Sequence, residues 1–149
     1  MPSATPADVL ARRCRLILSR DADGFADLFA PDAAIETPFA PLGVPARLEG
    51  REAIREYSRR VLAAPLQFED FEVAELYQTQ DPEVVIVEMR TKGTVTTTGR
   101  PFAATSIQIL RIREGQIVLF RDFADPRVLG DVIGNRAREA DAAGKRQVD

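Results

Sequence analysis

The 149-residue chain has no histidine, one cysteine (Cys14) and only two lysines, Lys92 and Lys145. Without imidazole there can be no Ser-His-Asp or Cys-His catalytic arrangement, no His-ligated metal and no histidine general base. A single cysteine excludes an intramolecular disulfide and a thiolate-rich zinc or iron–sulfur site, which suits a reducing compartment. No apolar run approaches the ~18 residues of a membrane span. The opening MPSATPADVLARR lacks the basic-then-apolar order of a signal peptide, so the expected location is cytoplasmic. There is no phosphate-cradling glycine run or dinucleotide fingerprint. The carboxylates of DPEV and PRVLGD lack the alternating spacing of a calcium loop. No cofactor and no metal is expected, and any chemistry falls to carboxylates, arginines, hydroxyls or tyrosines.

What is present is the composition of a globular domain, 45% hydrophobic and 29% charged, with a length suited to one core over 1–149 and a frayed tail after about 140. The 20 basic and 23 acidic residues are interspersed and leave a net charge of -3, so neither nucleic acid nor a membrane is an expected partner. Of the basic residues 18 are arginine, which reads as a compositional bias more than a binding signal.

Helical spacing of Val9, Leu10, Arg13, Leu16 and Ile17 predicts a first helix over 6–19, with Pro6 in its first turn. A second, short helix is expected over GFADLFA, burying Phe25, Leu28 and Phe29 and stopping at Pro31. DAAIETPF reads as a short strand, and PFAPLGVPAR, with three prolines in ten residues, as a stiff shaped loop. EGREAIREYSRRVLAA carries an apolar stripe of Ile54, Tyr57, Val61 and Leu62, a third helix ending before Pro65. Four β-rich runs follow, beginning at QFEDF, VVIVE, FAATS and QIVLF, the last two joined by a tight REGQ hairpin. A further helical turn or two is expected after Asp125 and Pro126. This order specifies an α+β fold in which a curved antiparallel sheet wraps three N-terminal helices, forming a cone with an internal apolar pocket.

The segments LFAPDAAIETPF, EGREAIREY and EGQIVLFRDFADP, in that order, resemble the nuclear transport factor 2-like superfamily. The likeness is to its SnoaL-like polyketide cyclase and phenazine-biosynthesis-like branch, and it spans roughly residues 8 to 127. The resemblance implies the α+β cone and a homodimer formed through the outer sheet face; the same fold hosts isomerases, hydrolases, cyclases and non-catalytic carriers. Matched to the ketosteroid isomerases, Thr37 stands where those enzymes have the catalytic Asp, Arg13 where they have a Tyr, and Thr105 where they have a second Asp. All three catalytic groups are replaced, which argues against steroid isomerisation. Matched to the limonene epoxide hydrolases, the chain keeps an acid at Asp122, but their Arg and second Asp fall on Met89 and Thr91, or on Glu88 and Arg90 if the strand slides by one residue. The phenazine-type relatives carry a Glu in the setting of Asp122.

Period-two alternation puts Val118, Phe120, Asp122 and Ala124 on one face of the last strand. A carboxylate among apolar side chains is desolvated and tuned toward neutral pH, which makes Asp122 the candidate general acid or base; the alternative is an ion pair with Arg121, Arg111 or Arg13. The same parity groups Thr105, Ile107 and Ile109 on one strand and Val85, Val87, Met89 and Thr91 on the next. As a pocket lining these suit a mostly apolar molecule bearing one or two oxygens, although any of them can be plain core. Arg13 binds a ligand carboxylate, pairs with Asp122, or snorkels to solvent. Tyr57 offers a hydroxyl to the ligand or is a core aromatic with a wet tip. Glu36 alternates away from Thr37 and reads as outward, and Cys14 as a small buried hydrophobe. The expected homodimer joins two convex sheet faces near Glu88, Arg90, Gln108 and Arg121. The leading functional expectation is a cofactor-independent small-molecule enzyme performing cyclisation, isomerisation, dehydration or epoxide opening with Asp122 as proton carrier. The alternative is a non-catalytic small-molecule-binding or accessory module of the same fold.

Overall fold

A computed structural model describes residues 4–128. Helix α1 runs Pro6–Leu18 behind a capping box of Thr5 and Asp8, with Pro6 in the first turn, where no backbone N–H is needed. Short α2, Ala22–Asp27, leads into β1, Phe29–Glu36, and then β2, Arg47–Glu49. Helix α3, Arg51–Leu62, buries Ile54, Ser58 and Leu62. Four long strands follow: β3 Leu66–Gln78, β4 Val84–Val95, β5 Arg100–Arg113 and β6 Gln116–Phe123. They form one curved, open six-stranded sheet in the order β2-β1-β6-β5-β4-β3. The α+β class and the wrapped arrangement are those expected from the sequence.

The structure differs from the sequence reading in three respects. The second helix ends before Leu28, and β1 begins at Phe29, so that Pro31 lies inside a strand. The β1–β6 ladder shifts register between Phe29 and Ala34, and an irregular ladder tolerates a residue with no N–H. The proline loop ends in β2, which pairs with β1 and was not foreseen. The sheet is also mixed, because β1 pairs parallel to β6. Residues 126–128 begin a helical turn after Pro126; its continuation and the expected frayed tail lie outside the described residues.

The sheet's inner face and the helices enclose the core of Leu10, Phe25, Phe29, Ile54, Val85, Val87, Met89, Leu110, Ile117 and Phe120. The REGQ hairpin closes with positive φ at both Glu114 and Gly115, the backbone that a two-residue turn needs to match strand twist. Gly93 on β4 is required by close approach. A Cβ there would lie 2.3 Å from the Gln67 carbonyl oxygen and 2.5 Å from the Phe102 ring. Arg20, at φ 60 after α1, donates through Nη2 to the carbonyls of Leu62 at the end of α3, of Ala64 in the turn and of Leu66 at the start of β3, at 3.0, 3.3 and 2.6 Å, and so ties the end of α1 to the α3–β3 connection.

Candidate active site

Inward-facing positions are settled by the strand register, since directly paired residues share a face. Across β4 and β5 the inward pairs are Val85–Leu110, Val87–Gln108, Met89–Ser106 and Thr91–Ala104. Gln108 in turn pairs with Asp122 on β6, and Leu110 with Phe120. Met89, Phe120 and Asp122 therefore lie on the inner face as expected, with Met89 fully buried and Thr91 half-buried beyond it.

The expectation fails on β5. Thr105 and Ile107 belong to the outer face, paired with Arg90 and Glu88, and Ile107 is 42% exposed. Neither shares a face with Asp122. Conversely Gln108, expected on the outer contact face, is inward and only 4% exposed. The segment SIQILRIR is apolar at both parities, so alternation alone does not choose a face. Arg111 and Arg113 share the parity of Ile107 and Ile109, however, and burying that side would have buried two guanidinium groups. That was the signal available in the sequence. On β6 the parity is broken by an extra residue. Arg111 pairs with Leu119 but Ile112 with Ile117, so Val118 is bulged out of the ladder and Ile117 takes the buried place expected for Val118. The comparison of Thr105 with an isomerase acid likewise fails on geometry, and the inward neighbours Ala104 and Ser106 carry no acid either.

Arg13 does not snorkel. Its residue is 1% exposed, reaching from α1 over the rings of Phe120 at 5.0 Å and Phe71 at 5.7 Å, where the cation is drawn to the π faces. Its Nη2 donates to Oε1 of Gln108 at 2.6 Å. The amide of Gln108 donates in turn to Oδ1 of Asp122 and to Oγ of Ser106, each at 3.4 Å. Nε of Arg13 has no hydrogen-bond partner among the described residues. Burial pushes the Arg13 pKa down to about 10, opposed by the fields of Cys14 and Asp122, so the group is still a cation at neutral pH. Burial pushes Asp122 up from the ordinary carboxylate range, partly countered by the Gln108 hydrogen bond and by the charge of Arg13.

The ion pairs weighed as alternatives are not formed by Asp122 among the described residues. Arg121 is bound to Glu36 at 3.2 Å, and Arg111 to Asp81 and Glu83 at 3.1 and 3.0 Å. Arg13 reaches Asp122 only through Gln108. Glu36 holds Arg47 as well as Arg121, on the outward side. Thr37 directly follows Glu36, whose ladder partner Arg121 directly precedes Asp122, which puts Thr37 at the Asp122 end of the sheet. The proline loop packs at this same end, with Phe39 edge-on to Phe123 at 5.7 Å. Tyr57 lies half-buried on α3 beside Arg60, at 6.0 Å, and burial raises its pKa; no contact joins it to the Arg13–Gln108–Asp122 chain among the described residues.

An open apolar groove of about 500 Å³ runs between α1 and β3, lined by Leu10, Cys14, Phe71, Val73 and Leu76, with Ala7 and Ala11 on the helix side. Phe71 is shared: it lines the groove and lies under the guanidinium of Arg13. Half-buried Cys14 also lines the groove, with its thiol pushed up by burial and thus kept neutral. No cluster of carboxylates and cysteine suited to a metal ion exists among the described residues, and no helix there is long and apolar enough to cross a membrane.

Residues 10–120 match the SnoaL-like domain family. The chain belongs to that family. Its SnoaL-like relatives include a PhzA/B-like protein of Pseudomonas aeruginosa, uncharacterized in function, which is 38% identical over 120 residues, covering 80% of this chain and 83% of that one. Among solved structures, a candidate isomerase from Bacillus subtilis superposes with a TM-score of 0.80 at 30% identity, covering 86% of this chain and 91% of its own. SalBIII, an epoxide hydrolase/cyclase-like enzyme of pyran ring formation in polyether salinomycin, superposes with a TM-score of 0.66 at 24% identity, covering 82% and 92%, and attests the shared fold alone. The family match ends two residues before Asp122, so the acid's role has to be argued from its surroundings.

Proposed function

We propose that this SnoaL-like protein is a cofactor-independent enzyme acting on a small, mostly apolar, oxygen-bearing molecule, with Asp122 as proton carrier. One observation carries this reading. Asp122 is a partly buried carboxylate whose protonation is favoured by burial, held by a neutral amide and not by an arginine. A carboxylate neutralised by a direct ion pair is a poor proton carrier near neutral pH, whereas a desolvated one can both give and take a proton. Arg13, with Nε unpartnered, lies where a cation can stabilise a developing oxyanion or a ligand carboxylate. Met89 and Phe120 supply apolar surface on the same sheet face, and Thr37 brings a hydroxyl to the Asp122 end of the sheet; cyclisation, isomerisation, dehydration and epoxide opening all fit such a set.

The test is Asp122→Asn assayed against a panel of apolar ketones, epoxides and hydroxy-enones, with solvent deuterium uptake as a second readout. Turnover falls roughly 100-fold or more while ligand affinity is nearly kept, because positioned proton transfer contributes about 10² to 10⁴ in rate. Full activity in the variant overturns the assignment. A second reading, a non-catalytic carrier, is favoured by the apolar groove between α1 and β3, which holds no acid but Glu72 and does not include Asp122. Binding of an apolar probe in that groove, with no turnover of any panel member, would select it.

A homodimer through the outer face belongs to the same proposal. Tyr77, Ile86 and Ile109 form one row across β3, β4 and β5, and Ile107 and Phe123 flank it across β5 and β6, with Glu88, Arg90 and Arg121 around them. Sedimentation as a monomer at micromolar concentration would reject it.

A further inference from the structure

Among the described residues, Gln108 is the one buried polar side chain on the sheet that touches both charged groups of the site. A guanidinium has only donors, so the 2.6 Å contact with Arg13 obliges Gln108 to present its carbonyl oxygen to α1. Its NH₂ must then face away from α1, where Oδ1 of Asp122 on β6 and Oγ of Ser106 on β5 accept its two protons. Flipping the amide would set NH₂ against a buried cation and a carbonyl against a carboxylate. The Gln108 orientation is thus locked by charge on both sides.

We propose that Gln108 is the positioning residue of this site: clamped by Arg13, its amide holds Oδ1 of Asp122 and leaves Oδ2 as the oxygen that exchanges the proton. The assignment rests on the reading of Asp122 as proton carrier. Arg13 from α1 is the charged group that bears on Asp122 among the described residues. Arg121 and Glu36 are paired to each other across β6 and β1, and Arg111 is held at the far end of β5 by Asp81 and Glu83. Neighbouring Cys14 on α1 is neutral. A change at Gln108 therefore reads out at Asp122 with little competition.

The experiment is a carbon-13 NMR titration of the Asp122 carboxyl, with the Gln108 side-chain amide followed in the same samples, in the intact protein and in Gln108→Met. Methionine keeps the length and apolar volume but donates nothing. The expected result is that the wild-type Gln108 amide protons shift with the same midpoint as Asp122, and that Gln108→Met moves that midpoint upward by about one unit, a tenfold change in proton affinity. An unchanged midpoint overturns the proposal. Should Gln108→Met not fold, the wild-type amide decides alone, and protons that stay still through the Asp122 titration overturn it. Neither readout needs a substrate, so a failure here differs from a failure of the proton-carrier reading, which only turnover of Asp122→Asn can show. With a substrate in hand, Gln108→Met displaces the acidic limb of the kcat profile by the same amount, a shift that a purely structural residue would not cause.

Discussion

Two of the settings that arginine occupies among the described residues contrast sharply. On the surface, Arg47, Arg55, Arg59, Arg111, Arg113 and Arg121 each meet one or more carboxylates. Inside, Arg13 meets two aromatic faces and an amide, while the carboxylate nearest to it in the electrostatic sense, Asp122, is held one residue away across Gln108. Exposed pairs form readily and contribute little, because water screens both partners. A buried cation and a partly buried acid kept apart are a cost to the fold. Stability alone would have joined them or replaced both by hydrocarbon. Their separation leaves each with unspent bonding capacity, at Nε of Arg13 and on Asp122, and that is what a ligand needs.

The sharpest way to break this contrast is to remove the connector. Gln108→Met strands a fully buried guanidinium and is expected to cost about 3 kcal/mol in urea unfolding, in the range for a buried charge that loses its partner. Adding Arg13→Met should recover most of that loss, since two apolar side chains of similar volume then replace a desolvated cation and its amide. A double variant as unstable as the single one would show that the Arg13–Gln108 contact is not where the cost lies.

Asp122→Asn gives a smaller effect whose sign depends on pH. The folded Asp122 pKa is raised above its unfolded value, so between the two the native state binds more protons and this group's contribution to stability falls as pH rises. At neutral pH the ionised acid is a cost that Asn removes. The variant should melt above the wild type at pH 7, and the gap should close as pH falls below about 4. Had Asp122 been half of a buried ion pair, the same change would instead lower the melting temperature at neutral pH.

Glu83 supplies the opposite sign on the surface. Arg113 and Arg111 together hold its pKa down at about 2, so its contribution is present above the ordinary glutamate range and is lost as pH falls toward 2. Glu83→Gln should lower the melting temperature slightly at pH 7, and raised salt should erase the difference. The smallest effect is expected at Ile107, whose replacement by Ser should leave monomer stability within about 0.5 kcal/mol, as for other exposed positions. Any larger drop should depend on protein concentration, which would mark the outer face as a contact between copies.

The order of the three helices and the four long strands, the REGQ turn and the α+β class were determined by the sequence alone, because helical spacing, proline placement and a Glu-Gly turn are local properties. The inward direction of Asp122 and Met89 was also legible, since each lies among apolar residues at its own parity. The extra strand Arg47–Glu49 was not, for three residues carry no period, and neither was the strand that begins before Pro31. Hydrophobicity alone did not decide which face of β5 is buried, because Ile107 and Ile109 compete there with Leu110 and Ile112 on nearly equal terms. Pairing with β4 and the need to keep Arg111 and Arg113 wet settle it, and with it the inward place of Gln108. The bulge at Val118 is likewise invisible in one strand, since a register shift exists only between two. Arg13 shows the same limit. Its place in an apolar stripe is local, but whether it turns to water or inward depended on an acceptor 95 residues away in the chain, brought to 2.6 Å by the sheet.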